Sequence, residues 1–274
     1  MAINHLNFDL SKPFGQEEPQ AQDIPERTGN IKKIHILEKL KSMGLGLEDI
    51  VLGNFDQIGE ITARKRRDPK SELYKTKGAF FRPNYERGIL IYHLIKKFNL
   101  KSFLEIGFGR GYVTCCAAMA MNELGQGGKV VTIDPMLKEE NINNLASVFP
   151  KDFFNNVSFM QGISQEVIPT LNQSFDMIYI DGDHRYAAVK SDWENCKDKY
   201  RKFLLFDDYH LPGKEQKDIH CSNLIDQIDD DSKELIIMDR RIFLDDRGYS
   251  DEEIDYGQVL LTAADSIHDR KDQK

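Results

Sequence analysis

Residues 103–114, FLEIGFGRGYVT, constrain this chain more than any other stretch. The apolar run from Phe103 to Ile106 reads as a short buried strand, and Tyr112 to Met121 is apolar enough to form a packed helix. Between them stand Gly107, Gly109 and Gly111 at alternate positions. Strand, glycine turn and helix are how an α/β sheet builds a nucleotide site. Glycine adopts backbone angles that other residues resist, and its missing side chain lets a ligand approach the main chain. The helix start beyond it offers unpaired N–H groups.

The spacing of the glycines separates one nucleotide class from another. A dinucleotide fingerprint, G-x-G-x-x-G, needs a third glycine at 112, where Tyr112 stands. The pattern here is E-x-G-x-G-x-G, with Glu105 two residues before the first glycine. A carboxylate at that place suits a ligand with a cationic amino group and repels a pyrophosphate. The stretch resembles motif I of the class I S-adenosylmethionine (SAM) dependent methyltransferases; the plainer alternative is a structural glycine turn. The resemblance implies an α/β fold: a Rossmann-like seven-stranded sheet in the order 3-2-1-4-5-7-6, last strand antiparallel, flanked by helices. An N-terminal helical cap is expected on its substrate side.

The length of 274 residues suits one large α/β domain with an added segment, or two small domains. No apolar run approaches the roughly 18 residues that cross a bilayer, and no secretory signal is visible, so a cytoplasmic protein is expected. Cys115, Cys116, Cys196 and Cys221 show no C-x-x-C spacing and suggest neither a zinc site nor a disulfide framework. The net charge of −8 argues against general affinity for nucleic acid. Charge is uneven, however. Residues 60–101 carry 12 Lys and Arg against 4 acids, and residues 226–255 carry 4 against 12. These patches either meet, within a subunit or across a homodimer, or are two solvated faces.

Taken in order, the chain divides into four parts. Residues 1–30, polar and broken by Pro13, Pro19 and Pro25, read as a flexible tail or an arm that orders against a partner. Residues 31–83 read as a helical cap, with helices over 31–43 and 47–61 and a basic loop at 64–70. That loop is a solvated face or a substrate-facing loop for an anionic acceptor. Residues 84–264 form the nucleotide-binding domain, opening on a helix with Asn84 as N-cap. Residues 265–274 are a charged tail.

Within the domain, Lys129 to Ile133 is a second strand ending on Asp134, where an acid can accept two hydrogen bonds from a ribose diol or cap the following turn. NAD enzymes use an acid in the same way, so Asp134 points to an adenosine nucleoside without choosing between SAM and NAD. Further on, Val157 to Gln161 leads into Gly162, Ile163, Ser164 and Gln165 and then Ile168-Pro169. This segment looks like the adenine-binding segment of catechol O-methyltransferase and its relatives. The resemblance implies that Ser164 and Gln165 meet the adenine edge while Gly162 and Ile163 line the ring.

Two more strands deliver acids. Phe175 to Ile180 ends on Asp181-Gly182-Asp183-His184, and Phe203 to Phe206 ends on Asp207-Asp208-Tyr209-His210. Carboxyl ends of neighbouring parallel strands converge on the ligand crevice, so Asp181, Asp207 and Asp208 should meet there. Three carboxylates repel one another, and something positive is expected between them. All-oxygen ligation fits Mg²⁺ or another hard divalent cation better than Zn²⁺. The layout resembles the metal-dependent O-methyltransferases of the catechol, caffeoyl-CoA and macrocin types, over about residues 84–263. It implies a metal held by Asp181, Asp207 and Asp208 that binds and acidifies an acceptor hydroxyl. His184 stands where the catechol and caffeoyl-CoA enzymes carry lysine, so His184 or Asp181 is expected to take the proton. Asp183 either orients His184 or caps its turn, and His210 borders the same crevice. Three alternatives stand beside this reading: an NAD-linked oxidoreductase, an enzyme of the same fold that methylates nitrogen or acts without metal, and a non-catalytic SAM-binding or assembly protein.

Overall fold

In the computed structural model the described residues are 4–5, 23–46, 52–62, 64–65, 80–81, 85–214, 219–237 and 256–264. The expected Asn84 cap, most of the basic loop at 64–70, the acidic loop before residue 256 and the charged C-terminal tail lie outside them. One open sheet organises the described chain. Its strands are β1 (Asn4–His5), β2 (Lys32–His35), β5 (Ser102–Ile106), β6 (Lys129–Asp134), β7 (Val157–Gln161), β8 (Phe175–Ile180), β9 (Tyr200–His210), β10 (Glu234–Ile237) and β11 (Tyr256–Thr262). A separate two-stranded ribbon pairs β3 (Arg64–Lys65) with β4 (Phe80–Phe81).

The order across the sheet is β1-β7-β6-β5-β8-β9-β11-β10-β2. Counted from the glycine strand β5, the inner seven run 3-2-1-4-5-7-6, with β11 antiparallel to both neighbours, as expected. The sheet is wider than seven strands because each edge gains one. Asn4–His5 runs parallel to β7, and Lys32–His35 runs parallel to β10. Residues 32–35 are therefore strand where helical spacing predicts the first turn of a helix, and the helix α1 begins at Ile36 and ends at Ser42. The pairing is reinforced from the side chains: Glu234 of β10 bonds Lys32 at 2.6 Å and also Lys39 of α1.

Helices cover both faces, as parallel strands require. On one side lie α1, α2 (Leu52–Thr62), α3 (Tyr85–Lys97), α4 (Tyr112–Leu124) and α5 (Glu139–Ala146). On the other lie the single turn α6 (Ser164–Val167), α7 (Tyr186–Cys196) and α8 (Cys221–Gln227). Ten consecutive residues of α4, Tyr112 to Met121, are buried, which explains why it is apolar on all sides. Cys115 and Cys116 are part of that packing. Helix α3 approaches α4 closely because Gly88 has no side chain: a β-carbon there would sit 2.5 Å from Cys116 Sγ. Among the described residues no helix is long and apolar enough to cross a membrane.

Residues 25–29 are pinned to the sheet as well. The Arg27 guanidinium donates to Asp226 and to the His210 carbonyl, both at 2.8 Å, and lies over the Tyr209 ring. Tyr209 donates to the same Asp226 at 2.6 Å.

Candidate active site

The glycine turn leaves β5 at its carboxyl end with all three glycines left-handed, at φ 96°, 55° and 83° for Gly107, Gly109 and Gly111. Gly107 lies against the backbone of Asp181, so the ends of β5 and β8 touch there. Asp134 ties the turn to β6: its carboxylate accepts the Gly109 N–H at 3.1 Å and the Met136 N–H at 2.6 Å. Both the expected roles of Asp134 are compatible with this, since each carboxylate oxygen can accept a second hydrogen bond. Gly162 follows beside it, its N–H 3.4 Å from the Asp134 carbonyl. The glycine turn, Asp134 and the start of the 162–165 segment thus share one rim of the sheet.

Two of the expected cofactor residues are placed differently from a simple ligand contact. Glu105 is 1% exposed, and its carboxylate accepts from the hydroxyls of Thr114 and Thr132 beneath the turn. Burial pushes its pKa up to about 8, against the opposing pull of those two hydroxyls. Glu105 therefore sits under the glycine turn with its proton held more tightly than in an ordinary carboxyl. Ser164 is buried, and its hydroxyl bonds Asp192 of α7. Asp192 is 1% exposed, and burial raises its pKa to about 7. Gln165 beside it is half-buried.

The acids after β8 and within β9 do meet. Asp207 and Asp208 are neighbours in sequence, and a regular strand would point them to opposite faces. A bulge changes that. Gly257 pairs with Tyr209 and Val259 with Phe206, so Asp207 and Asp208 together oppose Gln258. Asp208 takes the left-handed conformation at φ 52°, which non-glycine residues adopt at a cost of about 1 kcal/mol. Both carboxylates then face one group, the guanidinium of Arg87. Its Nη2 stands 2.7 Å from Asp207 Oδ2 and 2.7 Å from Asp208 Oδ1, and its Nη1 is 3.9 Å from Asp181 Oδ2. Tyr179 donates to Asp181 at 3.1 Å and receives Gln258 Nε2 at 3.3 Å.

His184 closes the cluster. Its Nε2 lies 3.8 Å from Asp181 Oδ1 and 3.5 Å from Asp208 Oδ2, and its Nδ1 lies 3.4 Å from Cys221 Sγ. Asp183 turns away to chelate Arg185 and does not orient His184. His210 is buried against Tyr256, with ring centroids 5.6 Å apart. Burial raises Asp181 to about 6, with Arg87 opposing and Asp208 adding to the shift. Asp207 is pushed well above the carboxylate range, by burial first and by its acidic neighbours, again against Arg87.

The expected metal does not fit this arrangement. One guanidinium nitrogen already bridges Asp207 and Asp208, so a divalent ion would face a fixed cation at hydrogen-bond range. Among the described residues no group of three or more His, Cys, Asp or Glu is arranged to hold a metal ion. The positive charge that three carboxylates demand is present, but a side chain supplies it. Four partners of the cluster, Arg87, Tyr179, Gln258 and Cys221, escape a reading of the sequence by motif. Arg87 has a signal: it lies in the same helical stripe as Leu90, Ile91 and Leu94, all fully buried, and a charge in a buried stripe needs a partner.

Comparison with known proteins bears on the fold that carries this site. A family model described as a methyltransferase domain matches residues 104–209, from the glycine strand through the bulged acids. A probable cobalt-precorrin-6B C(15)-methyltransferase (decarboxylating) of Saccharolobus solfataricus is 32% identical over 95 residues, 33% of this chain. The match spans 45% of that relative's length, a little under half. Among solved structures, the O-methyltransferase TomG of Streptomyces achromogenes, in complex with SAM, is similar at a TM-score of 0.53 and 14% identity. The alignment covers 77% of this chain and 89% of TomG. An O-methyltransferase from Bacillus cereus in complex with SAH is similar at 0.52 and 15%, over 79% and 95% of the two chains. At these identities the likeness establishes the fold. Residues 104–209 thus match a methyltransferase domain, and the fold around them is similar to that of these two solved O-methyltransferases.

Proposed function

We propose that this chain transfers the methyl group of SAM to a hydroxyl of a small-molecule acceptor. The observation that carries the reading is the contact of Gly107 with the Asp181 backbone, which sets a nucleoside-type rim directly beside an acid–histidine cluster. Gly107, Gly109 and Gly111 cradle the SAM amino-acid part, Asp134 takes the ribose diol, and Gly162 to Gln165 line the adenine. Glu105 supports this pocket from below. Residues 84–264 act as the transferase unit, and residues 31–83 shape the acceptor side. The protein works in the cytoplasm on a sugar, phenol or natural-product hydroxyl, without nucleic acid or membrane.

SAM supplies an activated methyl, so the protein's work is to position the acceptor and remove its proton. The acceptor oxygen gives its proton to His184 or Asp181 and forms the bond to the methyl carbon. The carbon–sulfur bond breaks, and neutral S-adenosylhomocysteine (SAH) leaves. His184 is placed for the base role by its Nε2, 3.8 Å from Asp181 Oδ1 and 3.5 Å from Asp208 Oδ2 at the ends of the same strands.

Two measurements test this. SAH should raise the melting temperature of the purified protein and NAD should not, because a ligand that binds only the native state stabilises it. A rise with NAD alone would overturn the reading. Against a panel of sugar and phenol acceptors, His184→Ala should lower kcat by about 10²- to 10⁴-fold while leaving the SAH shift intact. Unchanged turnover would pass the base role to Asp181.

A further inference from the structure

We propose that Arg87 is the resident cation of the acid cluster, standing where the sequence leads one to expect a divalent metal, and that it keeps such ions out. The inference rests on the methyl-transfer reading only for the use made of the charge, since the exclusion itself follows from geometry. Three carboxylates converge from two strand ends, Asp181 after β8 and the bulged pair Asp207 and Asp208 in β9. Arg87 reaches all three from a third element, α3, with Nη2 at 2.7 Å from two of them.

Each local feature supports that placement. Gly88, next in sequence, lets α3 sit close against Tyr112 and Cys116 of α4 and so brings Arg87 to the strand ends. The left-handed Asp208 and the bulge opposite Gln258 turn both adjacent acids toward one nitrogen. Tyr179, anchored by Gln258, holds the third acid, Asp181. A guanidinium is a weakly hydrated, planar donor suited to a site of this kind, whereas Mg²⁺ demands octahedral oxygen ligands at about 2.1 Å. Arg87 Nη2 already stands 2.7 Å from one oxygen of Asp207 and one of Asp208, so an ion on those oxygens would lie against a fixed cation. The enzyme therefore does not depend on a divalent ion, and Arg87 orients the acids as a positioning residue.

The test uses the full chain and Mn²⁺ alone, read by electron paramagnetic resonance, with the SAH melting shift as a separate check of the cofactor pocket. Wild type should show no stoichiometric Mn²⁺ binding. Arg87→Met, which keeps the apolar stem and removes the charge, should bind Mn²⁺ at least about tenfold more tightly than wild type. The added change Asp207→Asn should abolish that gain. Stoichiometric Mn²⁺ binding by wild type, lost in Asp207→Asn, would overturn the proposal, because Arg87 would then yield to the ion. So would a folded Arg87→Met that binds no Mn²⁺. If Arg87→Met does not fold, Arg87→Gln serves in its place, and the wild-type titration decides against the proposal by itself. A missing SAH shift with these Mn²⁺ results intact would remove the methyl-transfer reading and leave the exclusion standing.

Discussion

Gly107→Ala is expected to abolish SAH binding and to destabilise the protein by about 3 kcal/mol or more. A β-carbon at 107 would lie 2.0 Å from the Asp181 carbonyl oxygen and 2.6 Å from its carbonyl carbon, distances that real contacts do not reach. The obstacle is backbone, anchored by the Asp181 N–H to Ile106 carbonyl bond at 2.9 Å, so no side chain can swing aside. The residue is also left-handed at φ 96°, a second cost for any residue with a β-carbon. The strand ends must separate, and the separation falls between the SAM rim and the acid cluster. A displacement of about 1 Å between reacting groups costs on the order of 100-fold in rate. Gly109→Ala provides the control. It shares the left-handed backbone, at φ 55°, but its β-carbon would point into open space. It should cost only about 1–2 kcal/mol, from conformation alone. Chemical denaturation of the two variants separates the stability costs, and SAH titration of Gly107→Ala checks the loss of binding. Equal losses would mean that the contact with Asp181 has no special weight.

The contrast between these glycines also shows what the sequence can and cannot convey. Three alternating glycines after a buried strand announce a turn that needs left-handed backbone, and all three positions have it. Which of them also serves a tertiary contact depends on β8, more than 70 residues away in the chain, and no local pattern reports it. The acid cluster divides in the same way. That Asp181 and the Asp207–Asp208 pair share a crevice follows from parallel topology. That adjacent aspartates face the same way requires a bulge, and the bulge is set by the register of β11 against β9. Lys32–His35 is ambiguous for a related reason. Four residues with a single partly buried apolar side chain, Ile34, fit a helix turn as well as an edge strand, and the partner β10 decides between them. Charge balance is the more dependable guide at the site. Three converging acids require a cation, but nothing local to them says that Arg87, in the buried stripe of α3, supplies it.

Stability is expected to fall by a few kcal/mol between about pH 4.5 and pH 8 on account of Glu105, and Glu105→Gln should remove that portion of the fall. The sign follows from where the proton sits. Burial raises the folded-state pKa to about 8 from the ordinary 4.5, so across that interval the native protein keeps a proton that the unfolded chain has released. The contribution is fully present below about pH 4.5. It declines by about 1.4 kcal/mol per pH unit and is gone once pH passes the folded value near 8. The amide that Glu105→Gln introduces retains a carbonyl oxygen for the hydroxyls of Thr114 and Thr132, so packing is preserved while titration is removed. Melting curves of both proteins over this range give the answer, because other titrating groups contribute equally to the two. The same pair of proteins tests the placement of Glu105 beneath the glycine turn. A neutral, buried acid makes no ion pair with the SAM ammonium, so Glu105→Gln should bind SAH within a few-fold of wild type. Parallel pH–melting curves with a large loss of SAH affinity would instead put an ionised Glu105 in contact with the ligand, as the motif alone suggests. The glycine turn would then have to open on binding far enough to bring that carboxylate to the surface of the pocket.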